Sequence, residues 1–496
     1  MLSLVPALLL LAPPSGSEDL SQQLKRFMEV YAAVERQAAD PVPPEKAIYE
    51  GAIPGMLRRL DPHSVFLDAN QFQQLKELES STRKGFGSVL ALLPGRAVIL
   101  QVLPGAPAAR SGLGPGDEIL TVNAIPLARL GVDQLVALLS ETRQKQALLD
   151  VRRPGSARIL QFTLTPEELQ APSVARAFLL RPGIGYLHVT SFDADTGAQV
   201  RQAIEKLGGS GLRGLLLDLR GNPGGLLPAA LETAALFLKP RQKLVTVRGR
   251  AMEPNTEAVP DDATPYTFPL AVLLDGKSAS ASEVVAGALQ DHDRAVIVGE
   301  PSFGKGLVEA VYQLGEGTGL ALTTAYYYTP SGRSIQKPLL GTPIASGRWA
   351  EQKEYRTDSG RQIHGGGGIQ PDFEAYPEPL TRFRTVLEAN GWFTSFATEY
   401  TRSHRDINQE FEVTPELLDQ FQVWLSEHEA RPSVAEWSSE SEWIRHRLKT
   451  EIFNQALGVE RGDEVEAQRD PVIRTALDKL GTPLTPTAPE ARAGRP

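Results

Sequence analysis

A hydroxyl and an amine stand out as a pair that could do chemistry: Ser280, inside Lys277-Ser278-Ala279-Ser280-Ala281-Ser282-Glu283, and Lys305, inside Gly304-Lys305-Gly306. A serine hydroxyl is a poor nucleophile until a neighbour takes its proton, and a lysine amine does this at neutral pH only in its uncharged form. The pair therefore suggests a serine nucleophile served by a lysine base, with no histidine required.

The elements that must position them are legible. The apolar run Leu270 to Leu274 reads as a buried strand, leading through Asp275-Gly276-Lys277 into a helix that contains Ala281, Val284, Val285, Ala288 and Leu289. Ser280 falls at the start of that helix, where a serine is ordinarily a cap. The same place lets amides and the helix dipole stabilise negative charge. A second strand, Leu215 to Leu219, feeds Arg220-Gly221-Asn222-Pro223-Gly224-Gly225 and a helix from Leu226 to about Leu238. That glycine turn is either a tight strand-to-helix connection or a source of N–H groups aimed at an oxyanion. Lys305 ends Gly299-Glu300-Pro301-Ser302-Phe303-Gly304-Lys305-Gly306, which nearly spells a phosphate-binding loop. It lacks the Ser or Thr after the lysine, and Leu307 to Tyr312 alternates like a strand, so nucleotide binding is not expected.

At 496 residues, the chain exceeds what one core organises, and 41% hydrophobic with 22% charged residues is an ordinary globular balance. A net charge of -9 argues against nucleic acid or an anionic membrane as partner. The absence of cysteine removes disulfides and thiolate chemistry. The apolar run Leu2 to Ala12 is followed by Pro13-Pro14-Ser15-Gly16-Ser17, so residues 1–17 read as a signal peptide without its basic start. Export to the periplasm or cell envelope is the favoured location, with the cytoplasm the alternative, and the run is too short for a stable membrane span. Residues 18–82 read as helical, with Leu20, Leu24, Phe27 and Met28 as one packing face and Phe72, Leu75 and Leu78 as another. Residues 83–166 read as a β-rich module with one helix over Val132 to Ser140, and 167–380 as strands alternating with helices around a largely parallel sheet. Residues 381–496 read as helical, anchored by Trp392, Phe411, Phe421, Trp424, Trp437 and Trp443 and ending in a disordered tail.

The segments Ser278 to Glu283, Gly304-Lys305-Gly306 and Tyr327-Tyr328-Thr329-Pro330-Ser331-Gly332-Arg333 resemble the carboxyl-terminal processing peptidases. So do Leu60-Asp61-Pro62-His63-Ser64, Asp218 to Gly225, and Gly365-Gly366-Gly367-Gly368-Ile369-Gln370-Pro371-Asp372. The resemblance covers residues 45 to 375 or so. It implies an α/β multidomain protein: a crotonase-like (ClpP-like) protease core, a PDZ domain inserted before it, and helical regions at both ends. It also implies Ser280 as nucleophile and Lys305 as the general base that later protonates the leaving amine. Ala281 and one of Gly224 or Gly225 would donate the oxyanion-hole amides. Where the family commonly has a glutamine four residues after the lysine, this chain has Glu309. At regular strand rise the two positions lie roughly 13 Å apart, so contact requires a bend, and a carboxylate there would favour the charged amine.

For the PDZ module, Gly85, Phe86, Gly87 and Ser88 precede a strand whose open edge would accept a peptide, their amides capturing a terminal carboxylate. Val136 or Leu139 would wall the groove. The seven histidines are scattered with no metal-ligand spacing, so neither metal nor cofactor is expected. His63 and Asp61 read as structural. The acidic C-terminal helices serve either as solvated faces or as a contact between two copies. The function expected is a serine endopeptidase that needs no ATP, recognises apolar, flexible C-terminal tails of proteins through the PDZ groove and cleaves near them through an acyl-enzyme. The alternative is a PDZ adaptor of the same architecture whose catalysis has decayed.

Overall fold

The computed structural model describes residues 17–483, apart from 80–81, 104, 144, 155, 157, 171, 340–353 and 429. The leader read over residues 1–17 lies almost wholly outside the described residues, as does the tail beyond 483.

A six-stranded sheet runs in the order Val174–Arg181, Ile184–Val189, Gly214–Asp218, Leu270–Leu274, Val296–Gly299, Phe373–Glu374. All neighbours are parallel except the first pair. Strands covered on both faces carry no polar side, and the period of two divides their apolar residues between two layers. Leu215, Leu217, Leu219, Val272 and Leu274 pack with Val200, Ile204, Ala230, Val285 and Leu289 from the helices Thr196–Leu207, Leu227–Ala235 and Ala281–Asp291. Leu216, Ala271, Leu273 and Val298 face the other way, onto Val472, Ile473 and Ala476 of the helix Pro471–Lys479. The end of the C-terminal region is thus the second cover of the central sheet.

An antiparallel sheet lies beside it. Its strand Gly319–Tyr328 is flanked on one side by Leu307–Gln313 and on the other by Val65–Leu67 and Lys243–Gly249, the last of which also pairs with Met252–Ala258. The register of Leu307–Gln313 shifts between Val308 and Glu309.

The β-rich module orders its strands Ser88–Leu93, Arg96–Val102, Glu118–Val122, Ala147–Arg152, Ile159–Leu164 around a core that includes Ile99, Leu127, Leu135 and Val151. Its helix spans Val132–Thr142. The module leans on the C-terminal helices: Arg96 Nη1 donates to Ser395 Oγ at 3.0 Å, and a Cβ on Gly391 would strike Leu93. Of the six aromatic anchors read from the C-terminal sequence, Phe421 and Trp443 join one buried cluster with Phe393, Phe396 and Ile444, and Trp392, Phe411, Trp424 and Trp437 pack on it half-buried.

Two expectations for residues 18–82 change. The helix Ser17–Gln37 forms, but Leu20, Leu24, Phe27 and Met28 are exposed. Periodicity decides which residues share a face and leaves open what covers it. The region is also not wholly helical, because Val65–Leu67 pairs with Gly319 to Ala321. Phe72 and Leu75 do pack, against Val311 and Ala321, while the Leu78 side chain lies outside the described residues.

Candidate active site

Three serines crowd the turn before the helix Ala281–Asp291, and the structure separates their roles. Ser278 Oγ donates to the Leu219 carbonyl at 2.8 Å and Ser282 Oγ to the Asn222 carbonyl at 3.0 Å; both residues are fully buried. They stitch this turn to the glycine turn after Gly214–Asp218. Ser280 is half-buried and has φ 54° and ψ -112°, a backbone state that L-residues reach only under strain. Such strain costs about 1–3 kcal/mol and persists only where its surroundings over-determine it. A sharp strand-to-helix turn of this kind presents a hydroxyl at a helix N-terminus.

Glu283 supplies much of that constraint. Its Oε2 accepts the N–H groups of Ser280 and Lys305, each at 2.8 Å, and its Oε1 accepts the Gly304 N–H at 2.7 Å and the Ser302 hydroxyl at 2.5 Å. Two bonds to one oxygen hold the backbone nitrogens of 280 and 305 within about twice that bond length of each other. Burial pushes the Glu283 carboxyl above its ordinary value, against the downward pull of Ser302 and of the Lys305, Ser280 and Gly304 amides. The spacing Ser-x-x-Glu at a helix start was the sequence signal for this residue.

The glycine turn meets the serine turn backbone to backbone. Asn222 donates Nδ2 to the Val189 carbonyl at 2.9 Å, and its own carbonyl accepts the Ala279 N–H at 3.0 Å. Gly224 has φ 104°, and a Cβ there would lie 2.9 Å from Ser280 Cβ and 3.0 Å from the Ala281 nitrogen. Its N–H donates to Asn222 Oδ1 at 2.8 Å. Gly225 lies against Phe192, whose carbonyl accepts the next amide, that of Leu226, at 2.7 Å. The Ala281 amide occupies the first turn of its helix, where N–H groups have no intrahelical acceptor. Below the turn, Arg220 donates to both oxygens of buried Asp218 and reaches Asp470 Oδ2 at 2.7 Å. Tyr186 Oη also donates to Asp218, at 2.7 Å.

Lys305 enters from the loop before Leu307–Gln313. Its amine donates to Glu309 Oε2 at 3.2 Å, with Oε1 at 3.1 Å. The contact that regular strand rise forbids is made because 305 precedes the strand and the register shift at Val308/Glu309 folds the carboxylate back. Among the described residues no hydrogen bond joins the Ser280 hydroxyl to this amine.

Family models match this chain in two places: Peptidase family S41 over residues 183–343 and a PDZ domain over 98–153. The chain is 34% identical over 328 residues to a carboxy-terminal-processing protease of Bartonella bacilliformis, covering 65% of this chain and 74% of that one. It is 35% identical over 292 residues to the carboxyl-terminal-processing protease of Synechocystis, covering 58% and 68%. The chain belongs to the carboxyl-terminal-processing proteases of peptidase family S41. It is a serine-type peptidase with a PDZ domain on a mixed α/β fold. A solved structure it is similar to, the photosystem II D1 C-terminal processing protease, is 26% identical, covering 74% of this chain and 90% of that one at a TM-score of 0.40.

In this processing protease Gly85, Phe86, Gly87 and Ser88 lead into the terminal strand of the PDZ sheet, Ser88–Leu93, which pairs with Arg96–Val102 on one edge. The helix Val132–Thr142 lies against that strand, with Val136 exposed and Leu139 half-buried on the PDZ core. Asp61 has the structural part expected of it: its Oδ1 accepts the amides of His63 and Ser64 at 2.7 and 2.8 Å. His63 does not stay outside the site. Its Nδ1 lies 3.7 Å from Glu309 Oε1, a placement whose only sequence trace was the motif Leu60 to Ser64. Among the described residues no helix is long and apolar enough to cross a membrane.

Proposed function

We propose that this peptidase cleaves proteins near their C-termini, with Ser280 as nucleophile, Lys305 as base, and the amides of Ala281 and Gly225 as oxyanion donors. The observation that carries the reading is the strained Ser280 turn, tied through Glu283 to the backbone of Lys305. Gly225 is preferred over Gly224 because the Gly224 amide is already taken by Asn222. The neutral amine takes the proton as the hydroxyl adds to the scissile carbonyl, then gives it to the departing amine as the acyl-enzyme forms. Water enters in the second half, and the same amine accepts its proton and returns it to the serine oxygen. In the arrangement described, the amine rests on Glu309, so the chemistry requires it to swing toward Ser280.

The strand order of the core supports a crotonase-like scaffold, and the Ser88–Leu93 edge supports addition of a substrate tail as an extra strand, its carboxylate on the amides around Phe86 and Gly87. The run Leu2 to Ala12 supports export to the cell envelope. The test is cleavage of a protein with an apolar C-terminal tail, read by mass spectrometry of the products. Ser280→Ala and Lys305→Ala should each lower turnover by about 10³-fold or more. Wild-type cleavage by either variant sinks the dyad, and tail binding without turnover in the wild type returns the adaptor.

A further inference from the structure

We propose that His63 is a positioning residue for the Lys305 base, acting through Glu309, so that the N-terminal segment completes the catalytic centre. The inference rests on the Ser280–Lys305 reading above. Glu309 sits between two nitrogens: Lys305 Nζ 3.1 Å from Oε1, and His63 Nδ1 3.7 Å from the same oxygen. The second separation is an electrostatic contact, longer than a hydrogen bond. About three-quarters of each side chain is out of water, at 25% exposure for His63 and 21% for Glu309, so neither group is simply solvated.

An ionised carboxylate with the lysine as its sole partner holds the amine as ammonium, which has no lone pair to accept the serine proton. A second nitrogen on the same oxygen shares that negative charge and gives the carboxylate somewhere else to lean. The amine is then free to turn toward Ser280.

His63 is held for this task. Asp61 uses Oδ1 on the His63 and Ser64 amides and Oδ2 on the Ser64 hydroxyl, at 2.9 Å. Ser64 Oγ in turn accepts the Thr323 amide at 3.1 Å. Thr323 is the register partner of Glu309 across the strand pair. The imidazole and the carboxylate it faces are therefore fixed to the same residue of the strand Gly319–Tyr328, on its two edges.

The experiment is a double-mutant cycle on the full chain, with steady-state cleavage of a tail-bearing peptide. His63→Ala should lower kcat about tenfold with KM unchanged, and His63→Gln, which keeps an N–H donor, should recover most of it. In a Glu309→Gln background the His63→Ala change should alter kcat less than about twofold, because no carboxylate remains to be shared. An equal loss in both backgrounds would mark His63 as merely structural, and no loss in either would remove its role; each outcome overturns the proposal. Dependence on Ser280→Ala and Lys305→Ala is read in parallel, so failure of the dyad itself is seen separately.

Discussion

Ser280 and Lys305 donate their backbone amides to the same oxygen of Glu283, each at 2.8 Å. The proposed nucleophile and base are thus registered through the main chain by a carboxylate with no exposure. A glutamine at 283 would keep one acceptor oxygen and turn an NH₂ group toward amides or the Ser302 hydroxyl. Each buried donor left unpaired costs about 1–3 kcal/mol. Glu283→Gln should therefore lower the melting temperature and reduce kcat about 100-fold with little change in KM for a tail-bearing peptide. Wild-type kcat in a folded Glu283→Gln protein would show that the shared oxygen does not register the site.

How much of this was legible depended on whether the information was local. Leu215 to Leu219 and Leu270 to Leu274 read as buried strands because continuous apolar runs have few other uses, and both lie in the central sheet. The Ser280 and Lys305 turns were visible as types and spacing. Glu309 reaching Lys305 was not, because it depends on one register shift whose cause lies in pairing with Gly319–Tyr328. The His63 contact needed a strand from residues 65–67 to dock on the same partner, which no local pattern encodes. The exposed stripe of the helix Ser17–Gln37 erred for a related reason: amphipathicity names a face, and covering it is a tertiary fact.

The Asp218–Arg220 pair under the glycine turn predicts an acid limit to stability. Burial would raise the Asp218 carboxyl, but the Arg220 guanidinium, with His188 and the Tyr186 hydroxyl, holds it below its ordinary value. With the folded value the lower one, the unfolded chain takes the proton first as pH falls. The stabilisation is therefore complete above the ordinary carboxylate value and is lost below about pH 4, as pH drops through the folded value. Asp218→Asn breaks a buried pair and should cost about 3–5 kcal/mol at pH 7. Melting curves from pH 3 to 7 check both points. The variant should show a flatter acid limb than the wild type, and parallel limbs would assign the acid loss to other carboxylates.

Tail recognition and bond cleavage should separate at Val136. This side chain stands exposed on the helix Val132–Thr142 beside the free edge of Ser88–Leu93, so a tail added to that edge would bury it. Burying an apolar side chain of this size contributes about 1.5–3 kcal/mol, and a carboxylate in its place forfeits that and repels the tail's terminal charge. Val136→Asp should raise KM for a tail-bearing peptide about tenfold or more and leave kcat nearly unchanged. Cleavage of a short peptide without the tail should match wild type, since Val136 belongs to the PDZ module and the Ser280 turn to the central-sheet core. Equal losses on both peptides would mean that the PDZ domain sets the state of the catalytic turn as well as the position of the tail.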